Sequence, residues 1–184
     1  MKILRLASMG LVLSLAACDR TDTADANFAE PNSIEASTND TATGATAASI
    51  DPAFIKEAME GDNAEVAIGQ LAQAQGTSPK VKDFGKVLAE DHGAHKQELS
   101  ALAGTAGLPV TDELSAEAKG NLDKLKALKG AEFDKEFKTM MVQDHQKHIA
   151  KYEKQAASGD AQTAALAQKT LPTLRKHLEL AKGL

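Results

Sequence analysis

The sequence from Asp51 onward predicts an all-α fold, a four-helix bundle with a short crossover helix. Three observations carry this. Apolar residues recur at helical spacing in almost every segment, and Ala, Leu, Lys and Glu recur while aromatic residues make up only 3% of the chain. Breaks rich in Gly, Pro and Ser leave four long periodic segments and one short one.

The first long helix starts at Asp51–Pro52, and Phe54, Ala58, Gly61, Glu65, Ile68 and Ala72 mark one face until "QGTSP" interrupts it. Ser78 is placed to cap the second, with Pro79 at its first position and a stripe of Val81, Phe84, Leu88, His95, Leu99 and Leu102. After "GTAGLPVTDE" a shorter helix is expected over Asp112 to Leu128. A long helix follows Gly130 with Phe133, Phe137, Met141, Ile149 and Tyr152, and ends near "ASGD". The last runs from Ala161 to Ala181 through Leu166, Leu171, Leu174 and Leu178, with Pro172 expected to bend it or release a backbone bond. The short breaks make antiparallel hairpins on either side of the crossover; the helical part of the crossover reaches only about 25 Å, which leaves the topology open.

Residues 1–17 read as an export signal of lipoprotein type. Lys2 and Arg5 precede an apolar run from Leu6 to Leu15, which is too short for a membrane span and leads through small residues to Cys18. "LAAC" resembles the bacterial lipoprotein processing box, which implies lipidation of Cys18 and a periplasmic location, anchored to the inner or outer membrane; Asp19 resembles an inner-membrane retention residue. Cys18 is the only cysteine, so no disulfide forms within one chain. Residues 18–50 are rich in Thr, Ala, Asp and Asn without a sustained period, as expected of a flexible tether. Residues 51–184 form the bundle domain.

The net charge is -5, and the domain from Asp51 carries 20 acids against 18 bases. Nothing in that balance offers the basic stripe that nucleic acid requires or a polybasic face for anionic lipid, so no nucleic-acid partner is expected.

Four of the five histidines fall in two copies of one pattern, Asp91-His92-x-x-His95 and Asp144-His145-x-x-His148. At roughly 100° per residue, His95 lies about 40° and His92 about 100° from Asp91, with Phe84, Leu88 and Leu99 between about 20° and 80°. The second copy repeats these angles, with Phe137 and Met141 in place of Phe84 and Leu88. Both copies therefore direct polar groups toward the core, where each unpartnered group costs about 1–3 kcal/mol. Glu65 stands on the apolar face of the first helix, at mid-bundle depth like the histidines.

A transition metal ion, iron, manganese, zinc or copper, satisfies such a set. The leading ligand candidates are Glu65, His92, His95, His145 and His148, with Asp91 and Asp144 as ligands or as acceptors that orient the imidazoles. His177 lies about 80° from the centre of its helix's leucine stripe, which suggests a surface or boundary position; it is a further candidate. The competing reading pairs Asp91 with His95 and Asp144 with His148 as structural couples. Met59, Met140 and Met141 read as core residues rather than soft ligands, and Tyr152 either guards the site or ends a core stripe.

The pieces "EVAIGQLA", "VKDFGKVLAEDHGAH", "FDKEFKTMMVQDHQKH" and "LPTLRKHLELA" resemble, in order, the bacterial envelope family catalogued as domain of unknown function four-one-four-two, which is distantly similar to ferritin-like bundles. The resemblance implies that fold and an envelope location but no established activity. Ferritin-like di-iron proteins typically present one glutamate and then Glu-x-x-His on each half of the bundle. Here Glu65 takes the first role, while His92 stands where the second glutamate would be and Leu174 stands three residues before His177. These departures point away from ferroxidase chemistry and toward a mononuclear site richer in histidine.

Three functions follow as expectations. The first is a metal-binding envelope lipoprotein that protects against metal or oxidative stress. The second is a small metal-dependent oxidoreductase, although no motif compels catalysis. The third is a non-catalytic lipoprotein that presents its domain to an envelope protein partner.

Overall fold

The computed structural model describes residues 49–184; the lipoprotein signal, Cys18 and most of the expected tether lie outside them. Among the described residues, five helices follow in order: α1 (Pro52–Gln75), α2 (Pro79–Thr105), α3 (Ala116–Ala127), α4 (Gly130–Ala156) and α5 (Ala161–Lys182). The fold is all-α, four long helices with a crossover. No described helix is long and apolar enough to cross a membrane.

The helix ends follow local chemistry, with two corrections. Asp51 caps α1, its Oδ1 accepting from the backbone N–H groups of Ala53 and Phe54 at 2.9 and 3.1 Å. Ser78 occupies the corresponding position of α2, but its hydroxyl makes no capping bond. Asp134 on α4 instead anchors the turn just before α2, accepting from Thr77 N at 3.0 Å and Ser78 N at 2.8 Å. The second correction concerns α3, which starts at Ala116 rather than Asp112. The carbonyls of Thr111 and Glu113 are held by Asn63 of α1, so this stretch lies extended until the Ser115 hydroxyl accepts from Ala118 N. Gly107, at φ +66°, closes α2 in a Schellman turn, with Leu108 N donating to Ala103 O at 2.9 Å. α5 continues through Pro172, which faces solvent together with Gln168, the residue whose carbonyl loses its N–H donor.

The hairpins α1/α2 and α4/α5 form as expected, and α1 also borders α4 as α2 borders α5. The ends fix the topology that the sequence leaves open. Asp134 at the start of α4 meets the α1/α2 turn, and Lys80 Nζ donates to Gly183 O at the end of α5. At the opposite end Ser49 bonds the α4/α5 turn through Gly159 O and Gln162 N. Hence α1 and α5 run one way, α2 and α4 the other, and the connector traverses the whole bundle. Its extended stretch supplies the length that α3 alone lacks.

The α1/α2 pair packs backbone against backbone at Gly69 and Gly85, where a Cβ on either residue would stand 2.6 Å from the other's carbonyl oxygen. Apolar side chains fill the interior in two clusters. One contains Phe84, Leu88, Leu125, Phe133, Phe137 and Met141; the other contains Phe54, Ile55, Met59, Leu99, Tyr152 and Leu171. Met59, Met140 and Met141 are all core residues. Between the two clusters lies a polar layer.

Candidate metal centre

Each long helix contributes to that layer. α1 supplies Asp62 and Glu65, α2 supplies His92, α4 His145 and α5 His177, and all five are buried. The three imidazoles face one another, with ring centroids 5.8 Å (His92–His145), 5.4 Å (His92–His177) and 5.3 Å (His145–His177) apart. One ring nitrogen of each lies within 4.8 Å of one nitrogen of each of the other two.

The outward nitrogens are tied. His92 Nδ1 donates to Asp62 Oδ1 at 2.8 Å, His145 Nδ1 to the Met141 carbonyl at 2.9 Å, and His177 Nε2 to Asp91 Oδ2 at 2.8 Å. Carboxylates and carbonyls only accept, so each of these nitrogens carries the proton and the other ring nitrogen keeps its lone pair. His92 Nε2, His145 Nε2 and His177 Nδ1 are indeed among the buried atoms without a partner, as is His95 Nε2. An imidazole held through one nitrogen by a carboxylate or carbonyl, with the other free, is the arrangement found in metal-ligating histidines.

The electrostatics fit lone pairs at two of the three. Burial, reinforced by the positive potential of His92 and His177, drives the pKa of His145 down to about 2. Burial also lowers that of His177, only partly offset by Asp91. His92 differs: burial opposes its charge, but the Asp62 hydrogen bond together with Glu65 raises its pKa, so a proton competes with a metal there. The same bonds keep Asp62 below the usual carboxylate range despite its burial. Glu65 Oε1 is 3.9 Å from His145 Nδ1, its Oε2 has no partner, and burial pushes its pKa up to about 7.

The sequence-predicted candidates divide accordingly. His92 and His145 enter the three-histidine group; Glu65 lies beside it. His95 is on its margin, with Nδ1 donating to Asp62 Oδ2 at 2.8 Å and its ring 5.8 Å from that of Tyr152. The expected order within the first motif is thus reversed: His92 points to the centre and His95 toward the edge. His148 sits one ring beyond His145, at 6.2 Å, with burial lowering its pKa to about 4. Asp144 faces away and lies 3.7 Å from Lys147.

Two expectations are overturned. Neither intrahelical Asp–His couple forms, because Asp91 bonds His177 and His95 bonds Asp62. His177 is not a boundary residue but fully buried, since Thr163 and Ala181, about 40° from it on the helix, extend the buried face of α5 to its side. Asp62, which joins two histidines, is absent from the sequence-derived set. It stands four residues after Ala58 and three before Glu65, on the face already drawn through those residues.

A chamber of about 30 Å³ adjoins the cluster, bordered by Asp62, His92, His95, His148, Tyr152 and His177 among others. That is room for about one water-sized ligand. Tyr152, in edge contact with Phe54 and beside His95, closes one wall of it.

A four-helix bundle with three histidine lone pairs converging at mid-height is a helical-bundle protein able to hold a transition metal ion. The chain belongs to the family described as a domain of unknown function (DUF4142), which matches residues 36–184. No curated protein matches it. Among solved structures it is similar to the crystal structure of a DUF305 fragment from Deinococcus radiodurans, with a TM-score of 0.64 and 14% identity over 72% of this chain and 92% of that one. At that identity the likeness is one of fold.

Proposed function

We propose that this protein binds a transition metal ion in the bacterial envelope, where it protects against metal or oxidative stress. The observation that carries the reading is the set of three buried, unpartnered imidazole nitrogens directed at one another. Left empty of any partner, each would cost about 1–3 kcal/mol, and one shared cation relieves all three. Imidazole nitrogen suits zinc, copper and iron, and Asp62, Asp91 and Glu65 supply negative charge around the ion. His92, His145 and His177 are the ligands in this reading. Glu65, with its unpartnered Oε2, is a candidate for a fourth position.

The envelope location draws on the sequence "RLASMGLVLSLAAC", with Cys18 as the lipidated residue and the membrane as the partner it reaches. Cys18→Ala should then release the protein from the membrane fraction. A docked envelope partner has less support: among the described residues, the exposed large apolar side chains are Val110 and Leu180.

A second reading, a small metal-dependent oxidoreductase, draws on the chamber beside the cluster, since three protein ligands leave a position for an exchangeable one. A chamber of about 30 Å³ limits that ligand to roughly the size of water.

The deciding experiment is elemental analysis of the full chain purified without a histidine tag or chelator, beside a His145→Ala/His177→Ala variant. Near-stoichiometric metal, lost in the variant, is expected. A folded chain that stays empty after titration with iron, manganese, zinc and copper overturns the reading.

A further inference from the structure

On one flank of the bundle, among α1, α3 and α4, lies a cleft of about 460 Å³. Glu57, Glu60, Glu117 and Asp144 line it, with Glu65 and His148 among its deeper residues. Lys147 and Lys151 also border it, but they lie 3.7 Å from Asp144 and 2.7 Å from Glu57, so the cleft keeps an excess of carboxylates. Glu65 belongs to the cleft and yet is only 2% exposed, with its Oε2 unpartnered, and the same carboxyl lies 3.9 Å from His145.

The cleft and the chamber share a wall. His148 and Gly61 line both. Gly61 sits in the interior of α1, where glycine costs about 1 kcal/mol relative to alanine. Unlike Gly69 and Gly85, it meets no opposing backbone: its near neighbour is the His148 ring, with Nε2 3.4 Å from where a Cβ would stand. The space beside that imidazole is what the missing side chain leaves open.

We propose that this acidic cleft is the port through which a divalent transition-metal cation reaches the three-histidine centre, held in transit by Glu65 and His148, with Gly61 keeping the passage open. The inference rests on the metal-binding reading above. Carboxylates at the rim concentrate cations, and a buried carboxylate followed by an imidazole replaces their hydration in steps.

The test is the rate at which cobalt(II) chloride loads the metal-stripped full chain, followed by the visible absorption of the bound ion in a stopped-flow instrument. Gly61→Leu should slow loading at least about ten-fold and leave the final occupancy unchanged, because it fills the passage without touching a ligand of the centre. Glu65→Gln and His148→Gln should also slow loading, and they carry the test if Gly61→Leu lacks native helicity by circular dichroism. Thr173→Val, which alters a part of the chamber lining away from the cleft, should load at the original rate. Loading that proceeds at the original rate in Gly61→Leu, Glu65→Gln and His148→Gln overturns the port and leaves the metal reading standing. A parent chain that takes up no cobalt overturns both.

Discussion

Asp91 on α2 and His177 on α5 are joined by a hydrogen bond of 2.8 Å, and that bond determines which nitrogen of a fully buried imidazole faces the interior. Asp91 is itself 40% exposed in its side chain. The contact satisfies the Nε2 proton of a buried ring, and it selects the tautomer that leaves Nδ1 free.

Asp91→Ala should accordingly weaken both binding and folding. Loss of such an orienting carboxylate typically costs 10–100-fold in metal affinity, and a buried imidazole left without its acceptor costs about 1–3 kcal/mol of stability. Competition against a chromophoric chelator, paired with urea denaturation of the metal-free chain, reads both quantities. Unchanged affinity would remove His177 from the ligand set.

Asp62 works differently, because one buried carboxylate accepts from two imidazoles at 2.8 Å each. Asparagine keeps the shape but has one acceptor oxygen and one donor amide, so either His92 or His95 must surrender its bond or reverse its tautomer. Asp62→Asn should destabilise the metal-free chain by about 1.5–3 kcal/mol, the range for hydrogen bonds to charged groups, and should weaken metal binding as well. A stability loss without an affinity loss would restrict Asp62 to holding the hairpin.

How much of this was legible in the sequence follows from where the information resides. Helix ends set by neighbouring residues, such as Asp51 at α1, were readable, whereas the start of α2 depends on Asp134, 56 residues away from Ser78. The duplicated Asp-His motif located the polar layer correctly at mid-bundle. It could not reveal which histidines converge, since the angles on one helix say nothing of the neighbour each residue meets. His92, His145 and His177 meet because α2, α4 and α5 each present a ring at the same level, and that packing is a property of the assembled bundle. Asp62, by contrast, was within reach: a carboxylate on an apolar face demands a partner by the same reasoning that singled out Glu65.

His148 gives the metal-free protein a defined pH response. Burial, with the charge of His92 adding to it, lowers its pKa from 6.5 to about 4 in the folded chain. As the pH falls through 6.5 the unfolded chain takes up a proton that the folded chain refuses until about 4, so stability is lost across that window. The loss from this residue is at most about 3 kcal/mol. Urea midpoints of the metal-free chain and of His148→Gln, compared between pH 7.5 and 4.5, should converge as the pH falls. Parallel curves would show that the ring titrates as it does in water.

The backbone contact of α1 and α2 at Gly69 and Gly85 supplies the last prediction. At Gly85 a Cβ would stand 2.6 Å from Gly69 O and 2.8 Å from the Ala72 Cβ, distances at which the neighbours cannot yield by turning a side chain. Alanine would raise the helix propensity of α2 by about 1 kcal/mol, but forcing the two backbones apart costs typically 1–3 kcal/mol or more in a well-packed core. The sign is decided by packing. Gly85→Ala should lower Tm, and since α1 carries Asp62 and Glu65 while α2 carries His92, it should also lower metal affinity in the same variant. Gly93→Ala, at a position on α2 with nothing within 4 Å of the added Cβ, should instead raise Tm slightly and leave affinity unchanged. Equal behaviour of the two variants in thermal melts would mean that the Gly69–Gly85 contact does not set the spacing of the helices that carry the site.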